Sequence, residues 1–552
     1  MKIASFDIFD TCLVRKCGTP QNMLDVLSLR AFKTPVSECT RQEFVAIRRK
    51  AEDALWDNRF AKLADIYNNI PQFRPELKTK EELIMIELEL ERSLLVPVLS
   101  IREEIDRLRD KGNHIIFISD MYLPSIFLKD ILINYGFFKK GDSVYVSSEC
   151  GAVKWDGSLY QYVAKKENLK YKHWQHFGDN KISDYKEAKK LGIKAHLINH
   201  QYNYYPQCWI DKNCGVQYKV SNIVAGLCRS ITLSNEQNSQ LNFIVDIILP
   251  YSVSLVNKWM QQAVKDGISK LYFCSRDTYH LYHIAELLSE YYPTLECRYL
   301  YISRKALLEG NEEAFMLYLM QEGLASKEGR SAIVDVRSSG QTQFEINEKL
   351  KRYNFKSIKG YYFEMFAKNK LEYFNDYYAV VNRLYVKHNN NNTRLLEGWQ
   401  LYEDYFSMNT ELKTVDYRVE NGKAIPVKSE IDDNDNSYLI NSEFYQDVFN
   451  KLLAQFTTSY IELGLIRNSN EILDLSIYTL ARFFSKPNKT YLKALEEFYA
   501  YSYDHSQYVS FVGNISLFKL IMTKGRTNVW RRGTITNSSP QWLLNLLWFL
   551  KK

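Results

Sequence analysis

The chain lacks most of the features that assign a protein to a class at sight. Its nine cysteines form no CxxC pair and no Cys/His zinc spacing, which excludes a zinc-finger-like module and leaves free thiols in a reducing cytosol. No apolar run reaches the roughly 20 residues that a spanning helix needs, so no transmembrane segment is expected. No secretory leader is legible in "MKIASFDIFD", which leads straight into a charged strand. A cytoplasmic protein is the expectation. No convincing basic stripe lies outside the C-terminal tail, so nucleic acid is not an expected partner. There is no internal repeat. The acidic stretch "SEIDDNDNSY" lacks the alternate carboxylate spacing of a calcium loop and reads as solvated surface.

At 552 residues the chain is too long for one ordinary core, and two or three domains are expected. Its 46% hydrophobic and 25% charged residues give a globular profile. A net charge of +7 is mild, and suits a phosphorylated partner or an anionic membrane surface without demanding either. The 40 tyrosines and 29 phenylalanines fit large apolar contacts with polar tips, or sugar-binding faces.

"KIASF" reads as a short buried strand. Residues 20–110 then carry helical spacing. "TRQEFVAIRRKAEDALW" and "KTKEELIMIELELERSLL" each open on a Thr with a Glu three positions later, a capping-box pattern. "HIIFISD", "SVYVSSE", "WQHFGD" and "KAHLIN" read as further strands, alternating with helical segments. That alternation predicts a parallel sheet in an α/β domain, with its sites at the carboxyl ends of the strands. The pattern lapses into polar, aromatic, irregular sequence around 206–221, read as a linker. A second α/β pattern occupies 222–440, with strands in "SKLYFCSRD", "ECRYLYISRK", "RSAIVDVRSSG" and "SIKGYYFEMF". Residues 441–552 read as mostly helical, with a basic, Trp-rich tail.

Polar residues stand at the ends of the first four strands. Asp7 ends the first, in "SFDIFDTCLVR", and Ser119 ends the second, in "FISDMYLP". Lys154 follows the third, in "SSECGAVKWDG". Asp179 and Asp184 follow the fourth, in "GDNKISD". Any one of these has a bland reading, as a turn, a solvated lysine or a helix cap. In this order they resemble the four motifs of the haloacid dehalogenase-like (HAD) hydrolase superfamily over about the first 200 residues. The resemblance implies a Rossmann-like core over 1–205, with a helical cap at about 16–100. With the downstream "SRD", "YISRKAL" and "IVDVRSSGQTQ", the motifs look like predicted bacterial HAD hydrolases that accompany surface-polysaccharide biosynthesis.

The chemistry follows from the residue types. An aspartate at a strand end can attack phosphorus and form an acyl-phosphate, splitting one hard step into two. Asp7 and Asp179 can hold Mg²⁺, a hard ion that takes oxygen ligands and keeps sites for water and phosphate. Asp184 could bind the ion or hold its water. Ser119 offers a hydroxyl to a phosphoryl oxygen, and Lys154 supplies fixed positive charge. The resemblance implies the Phe9 carbonyl as a further ligand. Thr11 is expected to order the turn after Asp7, and Thr11 and Asp120 are the further residues expected at the substrate.

The departure is Phe9. Phosphatases of this superfamily place a second aspartate two residues after the nucleophile, where it protonates the leaving group and later activates water. Such help is worth roughly 10²–10⁴-fold in rate, and Phe9 cannot give it. Asp10 points differently along an extended segment, and is read as a brace for the turn or the cap. Dehalogenases of the superfamily also carry an aromatic residue here, but they need no metal, whereas "GDNKISD" keeps the metal carboxylates. Phosphate chemistry is therefore preferred to carbon–halogen chemistry.

In the second half, Arg276 and Asp277, Arg304, and the run from Asp335 through Ser338 to Thr342 lie at the ends of expected strands, where polar clusters suggest a second ligand site. "IVDVRSSGQT", a strand, a Ser/Gly turn and a helix, could cradle an anion. A sugar phosphate or nucleotide sugar is the expected ligand. The tail from Trp542 to Leu550 could lie on a membrane surface or dock as a terminal helix.

The reading is thus an Mg²⁺-dependent phosphohydrolase or phosphotransferase acting on a small phosphorylated metabolite, a sugar phosphate of surface-glycan synthesis in its fullest form. The protein would be cytoplasmic, with peripheral contact to membrane or glycan-synthesis proteins. The alternatives are a weakly active or non-catalytic phospho-ligand-binding protein, and a glycosyl- or phosphoribosyl-transfer activity in the second domain.

Overall fold

The computed structural model describes the chain except for residues 1, 56–59, 200–217, 237–238, 276, 366–375, 383–411, 431–447, 486, 497–498, 502–507, 517, 520–521, 523–529 and 541–552. The chain forms two compact units, Met1–Gln237 and Asn238–Lys552.

The first unit is built on a five-stranded parallel sheet. In chain order its short strands are β1 (Lys2–Phe6), β2 (Leu13–Arg15), β3 (Leu95–Pro97), β4 (Asn113–Ser119), β5 (Ser143–Val146), β6 (Trp174–Gly178) and β7 (Lys194–Leu197). The sheet runs β5-β4-β1-β6-β7, and β1 pairs with β4 on one side and β6 on the other. The chain builds β4 and β5 on one side of β1 and then crosses from β5 to β6 on the other side, so a crevice opens beyond the carboxyl ends of β1, β4 and β6. The apolar runs Ile115–Ile118 and Ile3–Ala4 are fully buried in this sheet, as strands covered on both faces require.

β2 and β3 form an antiparallel pair that the sequence reading missed, with Leu13 opposite Pro97 and Arg15 opposite Leu95. Four helices lie between them: Pro20–Ser28, Glu38–Asp53, Leu63–Asn68 and Lys80–Leu94. The Thr79–Glu82 capping box forms as expected, with Glu82 N 3.2 Å from the Thr79 hydroxyl and Thr79 N 2.7 Å from the Glu82 carboxylate. Thr40 does not cap its helix. Ser37 does, accepting from Thr40 N at 3.1 Å, because Ser37 is in extended backbone and puts Glu38 in the first turn, where the helix dipole favours an acid. Buried polar contacts tie the inserted helices to one another, to β2 and to the loop after β4. Arg15 donates from Nε and Nη2 to Glu91 at 2.9 Å each, Arg48 Nη2 pairs with Glu87 at 3.0 Å, and Tyr122 donates to the same Glu87 at 3.0 Å.

The helix Tyr218–Leu233 belongs to the first unit, which corrects the expected start of the second domain at 222. Residues 206–217 of the expected linker lie outside the described residues. Two contacts explain the shift. Arg229 donates to Asp10 at 3.0 Å and to the Gly18 carbonyl at 3.2 Å. Gly226 packs so closely on Gly18 that a Cβ on Gly226 would lie 2.3 Å from the Gly18 Cα.

The second unit holds another parallel sheet: β8 (Lys270–Cys274), β9 (Glu296–Leu300), β10 (Ser331–Ser338), β11 (Lys359–Met365) and β12 (Tyr377–Asn382), ordered β12-β11-β10-β8-β9. All four expected strands are among these. A hairpin, β13 (Thr414–Glu420) and β14 (Lys423–Lys428), turns on Asn421 and Gly422, both with positive φ. The helices that follow do not form a separate domain at 441. They share this unit, where the Ile466 carbonyl accepts from Asn257 and Gln261 at 3.0 Å each. The helical stretch Gln240–Lys265 is long and apolar enough by composition to cross a membrane, contrary to the expectation, and 94% of its apolar window is buried within the fold. Asp246, Ser252, Ser254 and Asn257 interrupt the apolar run in the sequence, and Ser252 and Ser254 donate their hydroxyls to carbonyls one turn back.

Candidate active site

The site forms where β1, β4 and β6 end. Asp7 N continues the ladder by donating to the Phe177 carbonyl at 2.8 Å, which brings the Asp7 carboxyl to the mouth of the crevice. Ser119 is the last residue of β4. Asp120, next along, accepts from Lys154 N with both oxygens, at 2.8 and 2.9 Å. That contact folds the loop after β5 inward and delivers Lys154 to the centre. Its Nζ lies 2.6 Å from Asp7 Oδ1 and 2.6 Å from Asp184 Oδ1.

Asp184 arrives by a different device. Asn180 accepts from Ile182 N and Ser183 N at 2.9 and 3.1 Å, starting a π-helical turn over Lys181–Glu187. The wide turn carries Asp184 back over β6, where Asp184 Oδ2 accepts from Asn180 N at 2.9 Å. Gly178 makes room: a Cβ there would lie 2.4 Å from the Asp184 Cγ. A wide turn of this kind is often found at functional sites.

Asp7, Asp179 and Asp184 each offer one oxygen, and these oxygens lie within 4.8 Å of one another. Burial raises the Asp7 carboxyl well above the usual carboxylate range, even against the lowering effect of Lys154. Burial, then the charges of Asp10 and Asp184, push Asp179 up to about 6. Burial also opposes ionisation of Asp184, but Lys154 and His176 outweigh it and hold that carboxyl below the usual range. Lys154 stays charged: burial works against the ammonium, and Asp184 and Asp7 more than compensate. Three carboxylates against one lysine leave the site short of positive charge. A hard divalent cation with oxygen ligands fits this set.

A cavity of about 640 Å³ opens over these groups. Asp7, Phe9, Asp10, Ser119, Asp120, Lys154, Asp179 and Asp184 line it from the sheet side. Gln21, Arg49, Glu52 and Asp53 line it from the inserted helices. Its size suits a small ligand. Thr11 is buried in the turn after Asp7 and is not among the lining residues. Asp120 is there, with its carboxylate engaged by the backbone of Lys154.

Phe9 is half-buried, with the Arg15 guanidinium carbon 4.4 Å from its ring centre. Asp10 adopts the left-handed conformation at φ 52 and is held by Arg229. Its carboxylate therefore braces the turn, as the sequence suggested, against a helix the sequence did not link to it.

In the second unit Asp277 and Asp335 lie near Cys274, whose thiol is pushed up by burial and then by these two charges. Ser338 accepts from Gly340 N at 3.0 Å and closes the turn before the helix Gln341–Arg352, which carries Thr342 in its first turn. Arg304 is exposed in the first turn of a helix capped by Ser303. Arg276 lies outside the described residues, as does the tail from 541 onward.

Sequence reasoning missed Arg15, Tyr122, Ser5 and His176. Ser5 and His176 are register partners across β1 and β6, a relationship visible only once the strands are paired.

No family model matches the chain, and no curated protein matches it. Three solved structures similar to part of it are HAD-type or dehalogenase structures. A HAD-hydrolase of Bacillus subtilis, YfnB, bound to magnesium, is 15% identical, with 36% of this chain and 89% of that one covered and a TM-score of 0.28. A dehalogenase is 14% identical, with 37% and 87% covered and a TM-score of 0.28. A HAD phosphatase of Thermococcus onnurineus is 21% identical, with 37% and 90% covered and a TM-score of 0.28.

Proposed function

We propose that the first unit is a Mg²⁺-dependent phosphohydrolase or phosphotransferase acting on a small phosphorylated metabolite through an aspartyl-phosphate on Asp7. One observation carries the reading: Lys154 Nζ is shared at 2.6 Å between Asp7 and Asp184, beside a carboxylate triad that lacks compensating charge. Asp7, Asp179 and Asp184, with the Phe9 carbonyl, would hold the ion. When bound, it would screen the repulsion between an anionic nucleophile and an anionic phosphoryl group.

The chain's own groups supply the rest. The free oxygen of Asp7 forms the bond to phosphorus as the ester oxygen leaves. Lys154 holds the other oxygen and offers positive charge that is already fixed before reaction. The Ser119 hydroxyl donates to a phosphoryl oxygen. Water then attacks phosphorus and releases Asp7, or an acceptor hydroxyl does so in the transferase case. With Phe9 in place, no carboxylate two residues beyond Asp7 protonates the leaving oxygen. Esters with good leaving groups are therefore the better substrates.

The inserted helices act as a cap over the cavity. Their Gln21, Arg49, Glu52 and Asp53 favour a polar, hydrogen-bonding leaving group, and the resemblance to polysaccharide-associated HAD hydrolases puts sugar phosphates first. A second reading, a phospho-ligand-binding protein without turnover, is favoured by Phe9 alone. For the second unit, a sugar-phosphate or nucleotide-sugar site around Asp277 and Asp335 stays a proposal. Unchanged ligand affinities in Arg276→Ala and Asp335→Ala would end it.

The test is phosphate release from sugar phosphates, nucleotides and an activated aryl phosphate, with and without Mg²⁺. Release that needs both Mg²⁺ and Asp7, and is lost in Asp7→Asn, supports the enzyme. Binding of the same compounds with no release by a folded protein supports the second reading.

A further inference from the structure

A buried polar chain runs from behind the sheet to the carboxylates, and nothing in the phosphoryl-transfer reading uses it. The Trp174 indole Nε1 lies 2.7 Å from Ser5 Oγ, and Ser5 Oγ lies 2.7 Å from His176 Nδ1. His176 Nε2 lies 3.3 Å from Asp184 Oδ1, the oxygen that Lys154 also holds. Trp174, Ser5, His176 and Asp184 are all almost completely shielded from solvent.

The donor and acceptor inventory orients this chain. An indole N–H can only donate, so Ser5 accepts from Trp174. Asp184 accepts from Lys154 Nζ and from Asn180 N, and an ionised carboxylate can only accept. The ring nitrogen facing it must therefore carry the hydrogen. In a neutral imidazole the other nitrogen is then bare, and it accepts the one hydrogen that Ser5 has to give. Every group in the chain is satisfied in this arrangement, as buried polar groups require. The reverse tautomer would set two acceptors, His176 Nε2 and Asp184 Oδ1, against each other.

We propose that His176 is a positioning residue for Asp184, held by Trp174 and Ser5 as the neutral tautomer with its hydrogen on Nε2 and donating that hydrogen to Asp184 Oδ1. The proposal rests on the phosphoryl-transfer reading only for its consequence. Lys154 bridges Asp7 and Asp184 at equal distances. A shift of Asp184 would therefore draw Lys154 away from Asp7. His176 thus sets the nucleophile's surroundings through two intermediates, without touching substrate. Partners that orient metal-site carboxylates in this way are typically worth 10–100-fold in metal affinity.

The test uses the full chain and two readouts. Solid-state ¹⁵N spectra of histidine-labelled protein, with the His176 signals identified by their loss in His176→Gln, read the tautomer directly. The expected result is a protonated Nε2 and a bare Nδ1. A protonated Nδ1 with a bare Nε2, or a doubly protonated ring, overturns the proposal. Calorimetric titration with Mg²⁺ gives the second readout. His176→Gln, which keeps a donor, should bind within about threefold of the parent, and His176→Phe should bind at least about tenfold more weakly. A folded His176→Phe with unchanged Mg²⁺ affinity also overturns it. If His176→Phe does not fold, the parent's ¹⁵N spectrum still decides. If the parent binds no Mg²⁺ at all, the metal reading fails, and the tautomer result stands apart from it.

Discussion

The Arg15 guanidinium carbon lies 4.4 Å from the centre of the Phe9 ring, at the position where phosphatases of the superfamily that the sequence resembles carry a proton-transferring aspartate. Arg15 is itself buried and paired with Glu91. The Arg15 charge is already met by Glu91, so a carboxyl group placed at residue 9 can carry a proton to the leaving oxygen, the step that Phe9 leaves without a donor. We expect Phe9→Asp to raise phosphate release from alkyl phosphates by at least about tenfold, toward the lower part of the range for acid–base help. An activated aryl phosphate should gain much less. Steady-state rates on the two ester classes check this, and an equal gain on both would contradict it.

Lys154 is the only positive side chain bonded to the carboxylate triad among the described residues. Lys154→Met would leave two buried carboxylates facing each other. The loss of one partner from a buried charge group costs about 3–5 kcal/mol. Mg²⁺ should restore more stability to this variant than to the parent, because the variant's site carries more uncompensated charge. Thermal denaturation with and without Mg²⁺ measures both effects. Phosphate release should fall by at least about 10².

Gly178 tests the turn that carries Asp184. Adding a methyl group at 2.4 Å from the Asp184 Cγ forces the turn to move. Gly178→Ala should keep the sheet but weaken Mg²⁺ binding by about tenfold or more. Gly112→Ala, at the opposite end of β4 from Ser119 and strained by its positive φ, serves as the stability control. Comparable Mg²⁺ affinity in the two variants would contradict the assigned role.

Asp246 supplies a pH dependence outside the active site. It is buried in the long helix of the second unit, and Tyr491 donates to it at 2.6 Å. Burial pushes its carboxyl up to about 7, with the Tyr491 bond acting in the opposite direction. The folded state therefore holds this proton more tightly than the unfolded chain does. The associated stability is fully present below the unfolded pKa near 3.8. It declines as pH rises and is gone above about 7. The full span is about 4 kcal/mol. Asp246→Asn should flatten this slope in denaturant unfolding between pH 4.5 and 7.5 (conditions spanning roughly three pKa units). An unchanged slope would contradict the assignment.

Much of this was legible in the sequence, and the reasons differ by residue. The strands of both sheets show as apolar runs because their faces are covered. The residues after β1, β4, β5 and β6 stand out because polar groups at buried strand ends need a purpose. The roles given to Asp7, Asp179 and Lys154 depend on those ends meeting, which a parallel sheet ensures. What stayed hidden depends on long-range pairing. His176 faces Ser5 only through the register of β6 on β1. Arg229 reaches Asp10 from 219 residues away, so no local pattern marks the end of the first unit. The β13–β14 hairpin is a different case. Its Asn421-Gly422 turn is a strong local signal for a two-residue hairpin, and the sequence reading passed over it.

The most direct test of the central claim is capture of the intermediate on Asp7. The full chain is mixed with Mg²⁺ and an activated aryl phosphate, quenched, and treated with borohydride, which reduces an acyl-phosphate to an alcohol. Peptide mass spectrometry then reads residue 7. The account predicts homoserine at position 7, dependent on Mg²⁺ and absent in Asp7→Asn. Phosphate release with residue 7 still aspartate at every quench time, or label on another residue, would contradict it.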